Sequence, residues 1–377
     1  MPWKVSPVSD LRLVFVHQVL TLKRPLSDVC REHGISRKTG YKWLRRFQKQ
    51  PDQPLVDRSR RPQKSPRRTA EQLADRILQV RQQFGWGARK IRAYLRDQGC
   101  DMPSVQTVHA ALVRRGQVPR AAQPELPPLH FERSTPHQLW QCDHKGPLEV
   151  ERRKIHPFTV LDDHSRYLVA LRPCTDTTVA AAFAVLWEAF AECGLPEAIL
   201  CDNAFGTTHE SPRTLSWFDC QLIRLGIRPI HGRPYHPQTQ GKVERLHGTL
   251  ERELWPSIRR DSLAHFAADL QQWRVQVYNT LRPHEALGDR PPITRFRISP
   301  RRRPDKIPDV EYPAGAVLRK VDALGAIRWR GSRIRAGLGL AGQFVRIEQR
   351  DHEVALFFAQ HEIRCLASDS LVTDNVL

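Results

Sequence analysis

The sequence predicts a multidomain protein with N-terminal all-α helix-turn-helix units, a central α/β domain on a mixed sheet, and a small C-terminal β-barrel. Two segments before residue 119 place apolar residues at helical spacing, with serine caps and glycine turns. Residues 135–300 alternate strand-like and helix-like segments. Residues 308–377 alternate short apolar strands with glycine-containing turns, which is typical of a small antiparallel barrel.

Charge points to a polyanionic partner. The chain has 377 residues, a net charge of +20 and a pI near 10.2. Residues 1–130 hold 26 Lys and Arg against 10 Asp and Glu, whereas the remainder holds 34 against 30. The basic excess therefore belongs to the N-terminal part, and double-stranded DNA is the first expectation for its partner.

Cysteine usage and hydropathy exclude several classes of protein. The eight cysteines include no CxxC pair, which argues against a zinc finger and against a secreted disulfide framework. They are expected to be reduced thiols in a cytosol. Charged residues interrupt the apolar N-terminal stretch, so no signal peptide is expected, and no apolar run is long enough to span a membrane.

Residues 1–50 have the pattern of a first helix-turn-helix unit. Ser27 is placed to cap a short helix over 28–33, and Gly34 supplies the turn. Ser36 is placed to cap a second helix. The inward residues are expected to be Leu26, Val29, Ile35, Trp43 and Leu44. The second helix would enter the major groove, with DNA contacts from Arg37, Lys38, Thr39, Lys42, Arg45 and Arg46. The alternative is a generic basic helical hairpin.

A basic linker and a second helical unit follow. Residues 51–69 are rich in Pro and Arg and would lie along phosphates. Residues 70–118 form a second helix-turn-helix unit, whose last helix Ser104 is placed to cap. Arg89 and Lys90 are its candidate DNA contacts. The alternative is a packing or dimerisation bundle. Residues 119–134 form a Pro-rich linker.

The central segment reads as a mixed sheet with helices on its faces. Three strands are expected up to about residue 175, with LDDHSR as the tight turn between the second and third. A buried helix over 177–193, the strand in LPEAILCDNA, a helix over 213–226 and the strand in IRPIHG follow. HPQTQGKVERLHGTLERELW begins as a loop and becomes a helix, and a further helix covers 262–280.

The C-terminal barrel would be basic on its outside. The candidate exposed cations are Arg319, Lys320, Arg328, Arg330, Arg333 and Arg335. Such a surface suits contact with a DNA backbone, and the alternative is a solvated basic barrel.

Three acids have positions that suit a catalytic site. Asp143 lies in the first strand, Asp202 closes the strand AILCDN, and Glu244 is on the helix that begins near residue 241. Strand ends and an adjacent helix meet at one edge of an α/β sheet, and converging carboxylates need a cation between them. The residues alone leave the choice open, because other acids compete: Asp162, Asp163, Glu197, Asp219 and, on the same helix face as Glu244, Glu251.

Four motifs carry a resemblance to a known family. They are LWQCDHKG around Asp143, ILCDNA around Asp202, HPQTQGKVERLHGTLERE around Glu244, and YNTLRPHEALGDRPPITRF over 278–296. Together they resemble the integrase-core DDE transposases of bacterial insertion sequences, which are related to retroviral integrases. The resemblance implies a ribonuclease-H-like fold for residues 135–300. It also implies that Asp143, Asp202 and Glu244 are catalytic and hold two Mg²⁺ (or Mn²⁺) ions per active site.

The resemblance implies a DNA transposase that binds the ends of a mobile element. The expected chemistry is metal-dependent 3′-end cleavage and strand transfer into target DNA, by a homodimer or higher oligomer in the bacterial cytoplasm, associated with the nucleoid. Lys242 and Arg245 would contact phosphates. Three histidines, His231, His236 and His247, are secondary candidates. The spacing from Asp202 to Glu244 is a little longer than is common in the family, with the extra residues expected in 206–217.

Two other functions remain open from the sequence. One is a non-enzymatic DNA-binding regulator, or a domesticated transposase with an inactive core, although all three acids are present. The other is a ribonuclease-H-like nuclease acting on RNA–DNA hybrids. Two helix-turn-helix units that bind double-stranded DNA would not be expected in such a nuclease.

Overall fold

The structure, a computed structural model, divides into two compact units. It describes residues 8–57, 69–117, 132–202, 215–231 and 241–367. Unit 1 comprises Met1–Arg68, and unit 2 comprises Thr69–Leu377. The predicted barrel and catalytic core, and the second helix-turn-helix unit, all fall in unit 2.

Unit 1 is a three-helix helix-turn-helix bundle. Its helices are α1 (Val8–Leu20), α2 (Leu26–Glu32) and α3 (Arg37–Lys49). The Ser36 hydroxyl accepts a hydrogen bond from the Thr39 backbone N–H at 3.2 Å, and Gly34 takes a φ of +63°, as the turn requires. The prediction that Ser27 caps α2 was wrong. The helix begins two residues earlier than predicted, after Pro25, and no side chain caps it.

Trp43 is the centre of the unit 1 core. Trp43 and Val29 are buried, and the other predicted inward residues, Leu26, Ile35 and Leu44, pack half-buried against them. The Arg12 guanidinium and the Lys42 ammonium lie 3.9 Å and 4.5 Å from the Trp43 ring centroid. Such cation–π contacts hold basic side chains at the surface of α3.

The second helical unit shares its core with later parts of the chain. Its helices are α4 (Glu71–Phe84), α5 (Ala88–Asp97) and α6 (Val105–Arg114). The Ser104 hydroxyl accepts from the Thr107 backbone N–H at 3.3 Å, so the predicted cap is confirmed. Val277 and Leu281 pack against the apolar core that includes Trp86. The helices are therefore part of a larger body and not a tethered module.

The central sheet is mixed, as predicted. Its strands are β1 (Trp140–His144), β2 (Leu148–Val150), β3 (Arg153–Asp162), β4 (Leu168–Cys174), β5 (Ala198–Cys201) and β6 (Arg228–His231). The order is β2-β3-β1-β5-β6, and β4 also pairs with β3. β1, β5 and β6 run parallel, whereas β3 is antiparallel to β1, β2 and β4. The first predicted strand is therefore two strands.

Helices cover both faces of this sheet. They are α7 (Val179–Cys193), α8 (Trp217–Arg224), α9 (Gly241–Glu253) and α10 (Leu263–Gln272). α7 and α8 contribute to the apolar core on one face, which includes Phe158 and Phe190. α9 and α10 contribute to the core on the other face, which includes Leu168 and Leu250. α7 and α8 each connect one strand to the next, whereas α9 and α10 follow β6, the last strand of this sheet.

The helix expected over 262–280 changes its winding. Residues Trp273–Asn279 form a π-helix. The Asn279 side chain accepts from the Leu168 backbone N–H at 2.8 Å and donates to the Leu168 carbonyl at 3.0 Å. The Arg274 guanidinium donates to the Val169 carbonyl. In this π-helical segment, polar side chains therefore face inward and form hydrogen bonds with the backbone of β4.

Asp162 organises the tight turn between β3 and β4. Its carboxylate is fully buried. It accepts hydrogen bonds from the Ser165 backbone N–H at 2.8 Å, the Ser165 hydroxyl at 2.6 Å and the His137 backbone N–H at 2.8 Å. Asp162, which the sequence left as an alternative catalytic acid, therefore has a structural role.

The C-terminal strands form an open sheet and a hairpin. They are β7 (Val317–Lys320), β8 (Ala326–Trp329), β9 (Ser332–Arg335), β10 (Phe344–Arg350), β11 (Glu353–Phe358) and β12 (His361–Ala367). The sheet has the order β12-β11-β10-β7, and β8 pairs with β9 alone. No pairing closes these described strands, so a barrel is not confirmed. Cys220 and Ile223 of α8 share a core with this sheet.

Two predictions from composition can be compared directly with the structure. All eight cysteines are free thiols, and six of them are buried. In the part of the chain that the structure describes, no helix is long and apolar enough to cross a membrane.

We expect Asp162→Ala to lower the free energy of unfolding by about 3 kcal/mol or more, because it leaves buried donors without an acceptor. Urea denaturation measures this loss. The exposed Asp305 provides the control, since Asp305→Ala should change the stability by less than about 0.5 kcal/mol. Equal stability of the two variants would contradict the structural role of Asp162.

Candidate active site

The ends of two parallel strands and one helix place the three predicted acids. Trp140 pairs with Ile199 and Gln141 with Leu200 across β1 and β5. Continuing that register by two residues sets Asp143 level with Asp202, which directly follows β5. α9 begins at Gly241 and carries Glu244, whose side chain is exposed, in its first turn. The arrangement is the edge of an α/β sheet where sites commonly form.

Electrostatics link the three carboxylates. The Asp143 side chain is 28% exposed. Burial raises its pKa to about 6, and the negative charges of Asp202 and Glu244 add to the rise. A backbone hydrogen bond from His144 and the charge of Lys145 oppose it. Ionised Asp143 therefore lies in a negative potential produced by the same two acids that the sequence pairs with it.

Three further competing acids, Asp163, Asp219 and Glu251, are engaged in other contacts. The Asp163 carboxylate is buried and accepts from Gln141 Nε2 at 2.8 Å and from the Lys242 ammonium. The Asp219 carboxylate closes the capping box of α8. The Lys145 ammonium lies 2.6 Å from Glu251, and this hydrogen bond lowers the pKa of the Glu251 carboxyl. Glu251, the main alternative to Glu244 on the same helix face, therefore forms an ion pair with Lys145.

The donor set suits a hard divalent cation. Asp143, Asp202 and Glu244 offer carboxylate oxygens, which Mg²⁺ and Mn²⁺ prefer. Over the described ranges, no group of three or more His, Cys, Asp or Glu side chains is close enough to form a complete metal-binding cluster. In the described residues the three acids therefore share one edge of the sheet but do not form a closed set of ligands.

His247 and Thr159 hold the backbone of Asp143. The Thr159 hydroxyl donates to the Asp143 carbonyl at 2.9 Å, so its one proton is used. The contact of 3.0 Å between the same hydroxyl and His247 Nε2 therefore requires that Nε2 carries the hydrogen. Burial lowers the pKa of His247 to about 4. His247 is then neutral, with its Nδ1 lone pair 4.0 Å from Asp143 Oδ2.

Sequence reasoning considered His247 but missed Thr159. The pairing of the two strands would have identified Thr159, because it lies directly opposite Asp143 in the antiparallel register of β1 and β3. His231 has a different environment. Burial lowers its pKa, but the hydrogen bond that His231 Nε2 donates to the Asp219 carboxylate at 2.8 Å and the contact with Cys201 raise it to about 10. His236 lies outside the described residues.

The predicted DNA-binding residues fall into two groups. On α3 the side chains of Arg37, Lys38, Lys42 and Arg45 are exposed, those of Thr39 and Arg46 are half-buried, and Arg245 on α9 is exposed. Lys242 and Lys90 instead neutralise the buried carboxylates of Asp163 and Glu253. Arg89 pairs with Asp289 at 2.8 Å and with Glu285. The structure gives these three cations internal partners that the sequence did not predict.

Comparisons with known families agree with this architecture. Two family models described as Integrase core domain match residues 133–237 and 225–292. A Homeodomain-like domain matches residues 39–112, and a Helix-turn-helix domain matches residues 12–63.

Similar proteins include a bacterial insertion element protein and retroviral polyproteins. The chain is 29% identical over 161 residues to the insertion element IS476 uncharacterized 39.2 kDa protein of Xanthomonas euvesicatoria, covering 42% of this chain and 44% of that protein. It is 34% identical over 117 residues to the Gag-Pro-Pol polyprotein of Mason-Pfizer monkey virus, covering 31% of this chain and 6% of the polyprotein. The chain thus spans less than half the length of either relative.

Solved structures of retroviral integrases are also similar. One is the catalytic core domain of HTLV-2 integrase in complex with magnesium, with 16% identity, a TM-score of 0.33, and coverage of 44% of this chain and 99% of that one. Another is the simian T-cell lymphotropic virus intasome in complex with PP2A regulatory subunit B56 gamma, with 19% identity, a TM-score of 0.36, and coverage of 78% and 99%.

We expect Asp143→Asn to stabilise unit 2 at neutral pH. The pKa of Asp143 is about 6 in the folded protein against 3.8 ordinarily, so ionisation is harder after folding. Stability is therefore lost as the pH rises from 3.8 to 6, and the penalty above that range is about 2–3 kcal/mol. Urea unfolding without metal should show this gain at neutral pH and none near pH 3.8. A variant less stable than wild type at neutral pH would contradict it.

We expect His247 to stay neutral, as the Nε2–H tautomer, until the pH falls to about 4. Nitrogen and carbon NMR shifts of the imidazole measure both properties. The exposed His265 on α10 provides a reference imidazole signal from the same protein. Protonation of His247 near neutral pH, or an Nδ1–H tautomer, would show that Thr159 does not hold the ring as described.

Proposed function

We propose that this chain, which carries an integrase core domain of the insertion-sequence type, is a DNA transposase. It would bind the ends of a mobile element, cleave a phosphodiester at each end to free a 3′-hydroxyl, and join that hydroxyl to target DNA. The observation that carries the proposal is the placement of Asp143 and Asp202 at the ends of two adjacent parallel strands, with Glu244 in the first turn of α9. Acids gathered at one sheet edge have little structural value unless they serve a cation.

In the proposed chemistry the acids act as ligands. Asp143, Asp202 and Glu244 would hold two divalent ions, Mg²⁺ or Mn²⁺. Such ions, when bound, lower the pKa of the attacking water or hydroxyl and stabilise charge on the leaving oxygen. In the first step a water oxygen bonds to phosphorus as the bond to the 3′-oxygen breaks. In the second step the freed 3′-oxygen bonds to a target phosphorus and displaces a target 3′-oxygen.

Other side chains of the site would position these ligands. Thr159 donates to the Asp143 carbonyl and His247 contacts the same Thr159 hydroxyl, so the backbone of Asp143 is held relative to β3 and α9. The exposed Arg245 guanidinium lies beside Glu244 on α9, where it would contact a phosphate of the bound strand.

DNA recognition is proposed for α3 of unit 1. Its exposed basic side chains are arranged around the buried Trp43 ring, over which Lys42 and Arg12 lie. This is the arrangement expected of a helix that enters the major groove. Two element ends must meet for strand transfer, so a dimer or larger assembly on DNA, in the bacterial cytoplasm, is part of the proposal.

The C-terminal hairpin offers a second proposed contact with a DNA backbone. Arg328 on β8 lies directly opposite Arg333 on β9, and both side chains are exposed. Like charges directly opposite each other are destabilising. Asp322, whose carboxylate is 3.1 Å from Arg333, relieves part of this repulsion, and phosphates would relieve the rest.

We expect Asp143→Asn, Asp202→Asn and Glu244→Gln each to lower strand transfer by at least about 10³-fold, since each removes a ligand of the proposed ions. The assay uses duplexes made from the genomic DNA that flanks the coding region, with Mg²⁺ or Mn²⁺. Normal activity in any of the three variants would remove that residue from the proposed site.

Glu251→Gln is the matched control, because Glu251 is on the same helix as Glu244 and pairs with Lys145. It should keep activity within about tenfold of wild type. Intact end binding by wild-type protein without any cleavage would favour a DNA-binding regulator with an inactive core. Cleavage of RNA–DNA hybrids in preference to duplex DNA would favour a nuclease.

A further inference from the structure

A buried carboxylate joins the second helical unit to the helix of the proposed active site. Glu253 on α9 is 6% exposed at its side chain. It accepts hydrogen bonds from Trp86 Nε1 at 3.0 Å and from the Lys90 ammonium at 2.9 Å. It also accepts two from Arg282, at 2.7 Å and 2.9 Å. Both carboxylate oxygens are therefore satisfied, by three residues from two parts of the chain.

The opposite charges of Glu253, Arg282 and Lys90 stabilise one another. Burial alone would raise the pKa of Glu253, but the hydrogen bonds and charges of Arg282 and Lys90 outweigh it, and the pKa is lowered. The Arg282 side chain is itself 6% exposed. Breaking a buried, hydrogen-bonded pair by removing one partner leaves an uncompensated charge. The cluster therefore favours one relative placement of α5 and α9.

Further contacts repeat the same connection. Arg89 on α5 reaches Asp289 and Glu285, in the loop that follows Arg282. Val277 and Leu281, on the other side of Arg282, complete the apolar core of α4, α5 and α6. Polar and apolar contacts thus fix the helical unit against the same part of the catalytic domain, as expected for a rigid body and not for a hinge.

α9 carries both this docking point and the proposed ligand Glu244. Nine residues separate Glu244 from Glu253, which corresponds to about 14 Å along an α-helix and to opposite sides of it. The helix leaves little freedom between the two points, because its apolar stripe, including Leu246 and Leu250, is buried against the sheet. A displacement of the helical unit would be transmitted to the proposed site through one rigid element.

α6 is the part of the helical unit that remains available to DNA. Its Ser104 cap is formed, and it packs on α4 and α5 through Val108 and Leu112. The opposite face exposes Gln106, His109 and Arg114. These are side chains that reach base edges and phosphates. The basic side chains Arg89 and Lys90 of α5 are used for docking, and the exposed face of α6 is a candidate surface for contact with a groove.

We propose that the Glu253 cluster fixes the distance between the base pairs that α6 reads and the phosphodiester that the active site cuts. Glu253 is then a positioning residue, and the helical unit is a ruler that defines the element end. This inference rests on the proposed function. In addition, the choice of the phosphodiester that is cut depends on the docking of the helical unit onto α9, and not only on the DNA sequence at the terminus.

The test compares Glu253→Gln with wild type on end-labelled duplexes from the flanking DNA, with products resolved at single-nucleotide length. Glu253→Gln should bind the duplex within about threefold of wild type and cut the native bond about tenfold less, because small displacements are costly in catalysis. The lost product should reappear as cuts at neighbouring bonds. Glu71→Gln is the control, since Glu71 forms an exposed pair with Arg115 within the helical unit; it should cut as wild type does.

A second variant covers the case in which Glu253→Gln does not fold, as judged by circular dichroism and thermal melting. Lys90→Met removes one donor and keeps the two hydrogen bonds from Arg282. It should give the same spread of cut positions to a smaller degree. A folded Lys90→Met protein that cuts only the native bond at the wild-type rate would overturn the proposal.

The substrate gives an independent test with wild-type protein. Chemical footprinting first identifies the DNA sequence that residues 69–117 protect. One base pair is then inserted between that protected sequence and the terminus of the duplex. The cut should move by one nucleotide and keep its distance from the protected sequence. A cut that stays with the terminal bases would overturn the ruler. Absence of cleavage by wild type on any flanking duplex would instead count against the proposed function itself.

Discussion

Repulsion among the carboxylates at the ends of β1 and β5 is the constraint on which the proposed site depends. Asp143 is half-buried; burial raises its pKa to about 6, and the charges of Asp202 and Glu244 add to the rise. The fold tolerates this cost because β1 is the middle strand of a well-packed sheet, with Trp140 fully buried beneath it. Thr159 and His247 then fix the backbone of Asp143 from the neighbouring strand and helix. The site is thus held by its surroundings and not by attraction among its own members.

α9 connects the features that define this protein. Its apolar stripe packs on the sheet, its first turn presents Glu244, and its last residue is the buried acceptor Glu253. Glu244 and Glu253 lie on opposite sides of the helix, and Glu253 lies beside the apolar stripe, seven residues after Leu246. A catalytic ligand and a docking point on a single rigid element allow DNA bound at one place to be aligned with chemistry at another.

The basic composition serves two purposes. On α3 the cations are at the surface, as a partner with phosphates requires. Elsewhere arginine is a structural residue: Arg274 donates to the backbone of β4, Arg282 to Glu253, and Arg301 to the carbonyls of Leu225 and Gly226. A planar guanidinium with five donors suits such buried positions. Net charge alone therefore overstates the surface that is free for DNA.

The sequence by itself determined what is local or periodic. The caps at Ser36 and Ser104, the mixed sheet and the helical start of α9 follow from spacing and residue type, and the position of the three acids follows from motifs. Tertiary structure alone decided the roles of Lys90, Lys242 and Thr159, the π-helix at 273–279, and the open C-terminal sheet. The physical reason is that burial, ion pairing and strand register arise from residues far apart in the chain, whose contacts no local pattern records.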